Sequence, residues 1–234
     1  MSRDDAYLGS VASVGAAVGA LLLSRLARAA QPKLLVFLHV AAKQRALQNE
    51  LSQALSGVSV TAVGRIADFE RSLVEGQDAV LSLPVVLTAH KLTPKLRGQR
   101  QGSGDEKYSL IGPDTAPDPA RVSAVGALDL LGREATSTFV HSLLGAKPKV
   151  ERVTKVEDLL PLLQMRRVEA IVLPSRLFAE IRAASRLNLA GRELGPLVGL
   201  PAAADVGAGG AQVLSQLSKL PKALSKSFGV EEWR

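Results

Sequence analysis

The chain has 234 residues, 47% hydrophobic and 22% charged, so it can bury a sizeable core and does not have the composition of a disordered protein. It has no cysteine, which excludes disulfide scaffolds, thiolate metal sites and cysteine nucleophiles. The net charge of +7 suits an acidic partner, but aromatic residues are only 3% and the basic residues are dispersed, so we predict no nucleic-acid partner.

Residues 1–30 are predicted to be an export or anchoring segment. No charged residue lies between Asp5 and Arg25, and the apolar run is followed by the small residues Ala27 and Ala29. This order is typical of a signal peptide that is cleaved near Ala29 or Ala30. The sequence therefore predicts a periplasmic protein.

Two alternatives for this segment stay open. Residues 6–24 are long enough to cross a bilayer as an uncleaved helix that tethers the domain. Because Arg25 and Arg28 follow the run, such a helix would keep the domain in the cytoplasm. The segment can also be a buried helix of the soluble domain. Arg3-Asp4 resembles a twin-arginine signal with its second arginine replaced, which leaves the export route open.

A first series of strands and helices is predicted directly after this segment. Runs of strand length occur at residues 33–38, 58–63 and 79–83, and helical periodicity occurs at residues 43–55 and 66–75. Apolar strands that alternate with helices are typical of a parallel sheet covered on both faces. An α/β fold is therefore predicted.

A polar segment and a proline-rich step follow the first series. Residues 91–106 are predicted to be an exposed loop, and residues 113–119 contain three prolines. We place an internal boundary at this step. Lobe I is predicted to comprise residues 31–118 together with 197–234, and lobe II residues 119–196.

The second series has the same alternating order and predicts a mixed, mainly parallel sheet in each lobe. Residues 199–210 are predicted to be a loop, and residues 211–228 an amphipathic helix that is interrupted or bent at Pro221. The other predicted strands are 108–112, 122–125, 150–153, 170–173 and 187–194, and the other predicted helices are 136–144, 156–165 and 175–184.

The strand ends and helix starts supply the candidate ligand-binding residues, because ligands of such sheets collect there. Thr136, Ser137 and Thr138 begin a predicted helix, where their hydroxyls can coordinate an oxyanion or only cap the helix. The other candidates, His39, Ser82 and Ser175, lie at predicted strand ends. His39 can equally be a histidine satisfied within the fold.

Catalytic and metal-binding motifs are missing from the sequence. It has no G-x-S-x-G, H-E-x-x-H, Walker A or G-x-G-x-x-G motif, and His39, His90 and His141 are scattered. Ser137 and His141 could meet across one helical turn, but without an orienting carboxylate. We therefore predict a protein that is not an enzyme and that uses no cofactor or metal.

Five segments of the second series occur in the order of a known family. Together they resemble the second lobe of type 2 periplasmic solute-binding proteins, and most of all the phosphate/phosphonate-type substrate-binding proteins of ABC transporters. In those proteins serines and threonines hold an oxyanion where Thr136, Ser137 and Thr138 stand. The segments are VSAVG (122–126), DLLGR (129–133), TSTFV (136–140), VEDLL (156–160) and EAIVLP (169–174).

The resemblance implies a periplasmic-binding-protein-like fold of two α/β lobes that close on a ligand about a hinge. We therefore predict an exported solute-binding protein that captures a small ligand, which can be an oxyanion, and has a membrane permease as partner. The main alternative is an envelope scaffold or interaction protein that uses the same fold without a small ligand, and a third is a hydrolase with an unrecognised site.

Overall fold

The computed structural model describes residues 31–40 and 43–234. The predicted export segment, residues 1–30, lies outside this part of the chain, whereas Pro32–Arg234 form one compact unit. Among the described residues, no helix combines the length and the apolar character needed to cross a membrane.

The described chain alternates strands and helices. Two short 3₁₀ turns, Val156–Asp158 and Ser175–Leu177, each lead directly into an α-helix. In chain order the elements are β1 (Lys33–Phe37), α1 (Gln44–Ala54), β2 (Ser59–Ala62), α2 (Ile66–Val74), β3 (Ala79–Ser82), α3 (Pro84–Ala89), β4 (Pro94–Gln99), β5 (Lys107–Pro113), β6 (Ala124–Leu128), α4 (Arg133–Leu144), β7 (Lys149–Val153), α5 (Leu159–Gln164), β8 (Ala170–Pro174), α6 (Phe178–Ala184), β9 (Leu189–Leu197), β10 (Ala202–Asp205), α7 (Gly210–Leu217), α8 (Lys222–Ser227) and β11 (Glu232–Trp233).

Lobe I is built on a six-stranded sheet with the order β11-β4-β10-β3-β1-β2. β1 pairs in parallel with β2 and β3, and β10, β4 and β11 continue the sheet antiparallel. Residues 34–37 of β1 are all buried, as expected for a strand with layers on both faces. Helix α1 buries Leu47 and Leu51, which are four residues apart and therefore share one face.

Lobe II is built on a five-stranded sheet with the order β7-β6-β8-β5-β9. β6 pairs in parallel with β7 and β8, whereas β5 pairs antiparallel with β8 and β9. Gly126 in β6 lets α5 approach the sheet closely. A Cβ at this position would lie 3.1 Å from both Leu162 and Ile171.

The chain crosses between the lobes twice, after β4 and after β9. The two crossing segments are hydrogen-bonded to each other. The Val198 amide donates to the Glu106 carbonyl over 2.9 Å, and the Leu200 amide donates to the Gly104 carbonyl over 2.7 Å. We call these paired segments, residues 100–106 and 198–201, the hinge.

The boundary predicted at the proline-rich step differs from the structure. Lobe I was expected to extend to residue 118, but β5 belongs to the lobe II sheet, since it lies between β8 and β9. Pro113 ends β5, and Pro117 and Pro119 lie in the loop between β5 and β6 of lobe II, so the proline-rich composition marked a turn within the lobe and not a crossing between lobes. The return of the chain to lobe I follows Leu197, the last residue of β9.

Two segments predicted to be loops are strands. β4 lies within residues 91–106 and buries Leu96 and Gly98 while its charged side chains face outward, which is the pattern of a sheet exposed on one face. β10 lies within residues 199–210, and its small residues are buried between β3 and β4. Their strand conformation comes from pairing and not from local propensity.

The C-terminal helical segment is interrupted at Pro221, which is one of the two forms predicted for residues 211–228. It consists of two helices, α7 and α8, and Pro221 precedes the first residue of α8. Helix α3 was not predicted. It begins at Pro84, which suits the first helical position because it needs no amide hydrogen there.

Candidate ligand-binding site between the lobes

Strand ends from both lobes meet at the boundary between them. His39 follows β1 in lobe I, and Asp129 and Arg176 follow β6 and β8 in lobe II. Arg176 Nη2 donates to the His39 carbonyl across the boundary, over 3.4 Å. Because the carboxyl ends of parallel strands face one another here, this is where a ligand of such a fold would lie.

A cavity of about 340 Å³ opens beside this contact. We call it the interlobe cavity, because both lobes contribute to its walls. Its volume is at the low end of the range for small-molecule sites. It is lined by His39, Val40, Lys43, Gln44, Gly64, Arg65 and Asp68 of lobe I and by Thr154, Lys155, Val156 and Glu157 of lobe II.

His39 lines the interlobe cavity and is buried, with 5% of its surface exposed. Its ring meets Phe37 edge to face, with 5.1 Å between the ring centroids, and neither ring nitrogen has a partner among the described residues. Burial lowers the pKa of His39 from 6.5 to about 4, with a smaller lowering by Arg176, while Asp129 opposes the shift. The ring is therefore neutral at pH 7 and offers one donor and one acceptor.

Gln44 is a second polar group whose hydrogen-bonding capacity is not filled. Its Nε2 donates to the Leu38 carbonyl over 3.1 Å, which ties the start of α1 to the end of β1. Its Oε1 is buried without a partner among the described residues. Unmatched buried polar atoms are rare in folded proteins, so their presence at the cavity wall needs an explanation.

The charged side chains around the interlobe cavity carry a positive surplus. Lys43, Arg65 and Lys155 are exposed at its rim, and none of them forms an ion pair with another described residue. Two carboxylates also line the cavity, namely Glu157 and Asp68, and Asp68 is partly neutralised by Arg71, 3.5 Å away. An anionic group of a ligand would therefore find cations from both lobes.

Behind the interlobe cavity lies a buried ion pair that sequence analysis did not identify. Arg176 Nη1 donates to Glu106 Oε2, and the two side chains are 9% and 0% exposed. Glu106 precedes β5 at the hinge, within a segment predicted to be an exposed loop. Arg176 lies two residues after an apolar strand, and this position could have marked it in the sequence, whereas no local pattern marks Glu106.

The predicted hydroxyl cluster at the start of α4 is divided by the structure. Thr136 is fully buried, and its Oγ1 donates to Asp129 Oδ1 over 3.1 Å and accepts from the Leu131 amide over 2.9 Å. Ser137 Oγ donates to the Arg133 carbonyl over 2.9 Å within the helix. Thr138 is exposed. None of the three lines the interlobe cavity.

Asp129 organises this loop between β6 and α4. It accepts from the Gly132 amide over 3.0 Å and from Thr136, and it pairs with Arg152 of β7 over 2.5 Å. The Asp129 carboxylate therefore lies beside the N-terminus of α4, where the helix dipole favours a negative charge. The hydroxyl of Thr136 is used to shape the loop.

The remaining two predicted serines are also engaged within the protein. Ser82 is fully buried and donates to the Phe37 carbonyl over 2.8 Å, which ties β3 to the end of β1. Ser175 is half-buried, and its Oγ lies 2.8 Å from Ser109 Oγ on β5. Of the six predicted residues, His39 is the one that lines the interlobe cavity.

Comparison with solved structures finds proteins whose architecture is similar to that of this chain. Each match spans nearly the whole of both chains at low sequence identity. They are XAC2383 from Xanthomonas citri bound to ATP (11% identity, 86% of this chain and 90% of that one, TM-score 0.58), the periplasmic VFT2 domain of Bordetella pertussis BvgS (12%, 90% and 97%, 0.57) and a mutant of arginine-bound ArgBP from T. maritima (15%, 90% and 98%, 0.53).

The chain has a two-lobed α/β fold like that of periplasmic binding proteins. At these identities the likeness concerns the fold alone, and it confirms the predicted α/β periplasmic-binding-protein-like fold class. No protein-family model matches the sequence, and neither does any curated protein. In this fold the hinge is where the two lobes join, and the interlobe cavity is where they face each other.

Proposed function

We propose that this protein is an exported binding protein that holds a small anionic solute in the interlobe cavity. One observation carries the proposal: the cavity walled by both lobes is lined by His39 and Gln44, two residues with buried polar atoms that have no partner among the described residues. A bound solute would supply these partners, which removes the cost of leaving buried polar groups unmatched.

The anionic character of the solute rests on the rim charges. Lys43 and Arg65 of lobe I and Lys155 of lobe II lie around one cavity of about 340 Å³ without ion-pair partners in the described chain. A phosphate, phosphonate, sulfonate or carboxylate group would accept charge-assisted hydrogen bonds from these side chains. Two of the similar structures hold small molecules, namely ATP and arginine, which supports binding as the use of the fold.

Binding would proceed by closure of the lobes about the hinge. A solute that contacts Arg65 of lobe I and Lys155 of lobe II stabilises the closed arrangement, because both contacts exist only when the lobes are together. No catalytic group is needed for this function, and we propose binding without catalysis. The apolar N-terminal segment supports export, and a membrane permease is the partner that such a protein would supply.

Titration of the full chain tests the proposal. Thermal shift and calorimetry are run with inorganic phosphate, methylphosphonate, methanesulfonate and glutamate. At least one is expected to raise the melting temperature, and Arg65→Ala or Lys155→Ala should weaken its binding about tenfold. Lys219→Ala is the matched control, since Lys219 is exposed outside the cavity. Equal affinity in all three variants would contradict the cavity as the binding site.

A second candidate function, an envelope scaffold without a small ligand, is favoured by a different observation. One continuous hydrophobic core includes buried residues of both lobes, such as Leu38 and Leu128. The buried pair of Arg176 and Glu106 adds to this closed arrangement. If the scaffold is correct, small-angle scattering will show the same compact form with and without every solute, and no solute will change the melting temperature.

A further inference from the structure

The ring of His39 is buried at the boundary between the two lobes. On the side of lobe I it meets the edge of the Phe37 ring, with 5.1 Å between the ring centroids. On the side of lobe II, Arg176 Nη2 donates to the His39 carbonyl over 3.4 Å, and the charges of Asp129 and Arg176 both act on the ring. The surroundings of this titratable group therefore include both lobes.

Both nitrogens of this ring are closed off from solvent, and neither has a hydrogen-bond partner in the described chain. A neutral imidazole leaves one donor and one acceptor unmatched here, whereas a protonated ring would leave two donors of a charged group unmatched. An unpaired buried charge costs far more free energy than an unpaired neutral polar group. The arrangement of the lobes in this structure therefore accepts the neutral ring and disfavours the charged one.

The carboxylates of the buried boundary already have cationic partners. Asp129, whose charge favours a protonated His39, pairs with Arg152 over 2.5 Å. Glu106 is fully buried and accepts from Arg176. Neither carboxylate accepts from the ring of His39, so a proton on this ring gains no ion pair while the lobes stay together.

The charged side chains that line the interlobe cavity with His39 do not bond to its ring either. Asp68 is partly neutralised by Arg71, and Glu157 is exposed to water. The charged lining residues are Lys43, Arg65 and Asp68 of lobe I and Lys155 and Glu157 of lobe II. With Arg176 behind the ring, a protonated His39 would add a further positive charge to a boundary that already carries several cations.

We propose that protonation of His39 opens the two lobes about the hinge, so that mild acid releases the solute from the interlobe cavity. The proposal rests on the closure of the lobes in the proposed function. Separation of the lobes admits water to the ring of His39 without breaking the sheet of either lobe. Hydration then supplies the hydrogen bonds that the charged ring lacks while it is buried.

The direction and size of the effect follow from the protonation of His39 in the two forms. Burial lowers the pKa of His39 from 6.5 to about 4, against an opposing effect of Asp129 and with a smaller lowering by Arg176. A hydrated ring in the open form has the ordinary value, so the open form binds the proton more tightly. The ratio of open to closed protein should therefore rise as the pH falls from 6.5 to about 4, by up to about 300-fold.

Small-angle X-ray scattering of the full chain without solute measures the opening. The radius of gyration is followed from about pH 7 to about pH 4.5, and far-ultraviolet circular dichroism in the same buffers reports whether the chain stays folded. A reversible increase in the radius of gyration is expected below pH 6.5, while the circular dichroism stays unchanged.

Variants assign the opening to one histidine. His39→Leu and His39→Gln remove the titratable group, so both should keep the same radius of gyration over this range. The amide of His39→Gln keeps a polar side chain at the site, so the test does not depend on the folding of His39→Leu alone. His141→Gln is the matched control, because His141 lies on α4 of lobe II and bonds to the Pro148 carbonyl over 3.0 Å. This variant should open as the wild type does.

Three outcomes would overturn the proposal. They are a constant radius of gyration in the wild type, the same opening in the two His39 variants as in the wild type, and an increase that coincides with loss of the circular dichroism signal. The last of these would show unfolding of the chain and not separation of folded lobes.

The acid response and the proposed function fail separately. If phosphate, methylphosphonate, methanesulfonate and glutamate all fail to bind, the proposed function is contradicted, but the acid response is still measured because no solute is present in the scattering experiment. Conversely, binding of one of these solutes to a protein whose lobes stay closed in acid overturns the acid response alone.

Discussion

The boundary between the lobes contains charged groups of two kinds, and their surroundings differ. Arg176 and Glu106 are buried and paired with each other. Lys43, Arg65 and Lys155 are exposed at the rim of the interlobe cavity and have no ion-pair partners in the described chain. Removal of one buried charge leaves its partner unpaired in a poorly hydrated site, whereas a rim charge stays in water. The comparison predicts that the buried pair maintains the fold and that the rim charges serve binding.

The largest expected effect is the loss of one buried partner. Glu106→Ala should lower the free energy of unfolding by about 3–5 kcal/mol, because Arg176 is left as an uncompensated buried charge. Urea unfolding followed by Trp233 fluorescence measures it. The control is Glu193→Ala, which breaks the exposed ion pair between Glu193 and Lys107, the residue that follows Glu106. This variant should lower the free energy of unfolding by less than about 1 kcal/mol. Equal losses in the two variants would contradict the distinction between buried and exposed pairs.

The second prediction concerns acid. The folded protein lowers the pKa of His39 to about 4, below the ordinary value of 6.5, so below pH 6.5 the unfolded chain binds the proton more tightly. Stability is therefore retained above pH 6.5 and is lost progressively as the pH falls to about 4, with a total of about 3 kcal/mol from this residue.

Replacement of the histidine tests this acid dependence. His39→Leu fills the buried site without a titratable group, so the fall in unfolding free energy between pH 6.5 and 4 should be shallower than in the wild type. Urea unfolding at a series of pH values measures both slopes. The same slope in both proteins would show that another group causes the acid sensitivity.

The third prediction separates loop structure from ligand binding at the start of α4. Thr136→Val keeps the shape of the side chain but removes its hydrogen bonds with Asp129 and the Leu131 amide, and should cost about 1–3 kcal/mol. Ser137→Ala, the control, should change stability by less than about 0.5 kcal/mol, because the Ser137 hydroxyl bonds only within its own helix. Loss of solute binding without loss of stability in Thr136→Val would instead favour the oxyanion hypothesis for these hydroxyls.

The smallest expected effect on stability is at the cavity rim. Arg65→Ala and Lys155→Ala should each change the free energy of unfolding by less than about 0.5 kcal/mol, since both side chains are exposed and unpaired in the described chain. Chemical unfolding of the two variants without added solute measures this. A large loss of stability in either would show that the rim charges belong to the fold as the buried pair does.

Sequence and structure agree where the information is local. The apolar run at β1 and the amphipathic spacing of Leu47 and Leu51 in α1 depend on neighbours in the chain, and both elements lie where they were predicted. β4 and β10 were predicted to be loops, because a charged edge and an alanine-rich segment have weak strand propensity. They become strands by pairing with partners distant in sequence.

The candidate site shows the same division. The sequence by itself determined that this is an α/β chain of alternating strands and helices, and that His39 follows a buried strand. Only the tertiary structure decided which polar groups are free. Arg176 is 70 residues from Glu106 and 137 from His39, and Thr136 is taken by Asp129 of its own loop. Hydrogen-bond satisfaction depends on the three-dimensional surroundings of each atom, which residue type and spacing do not specify.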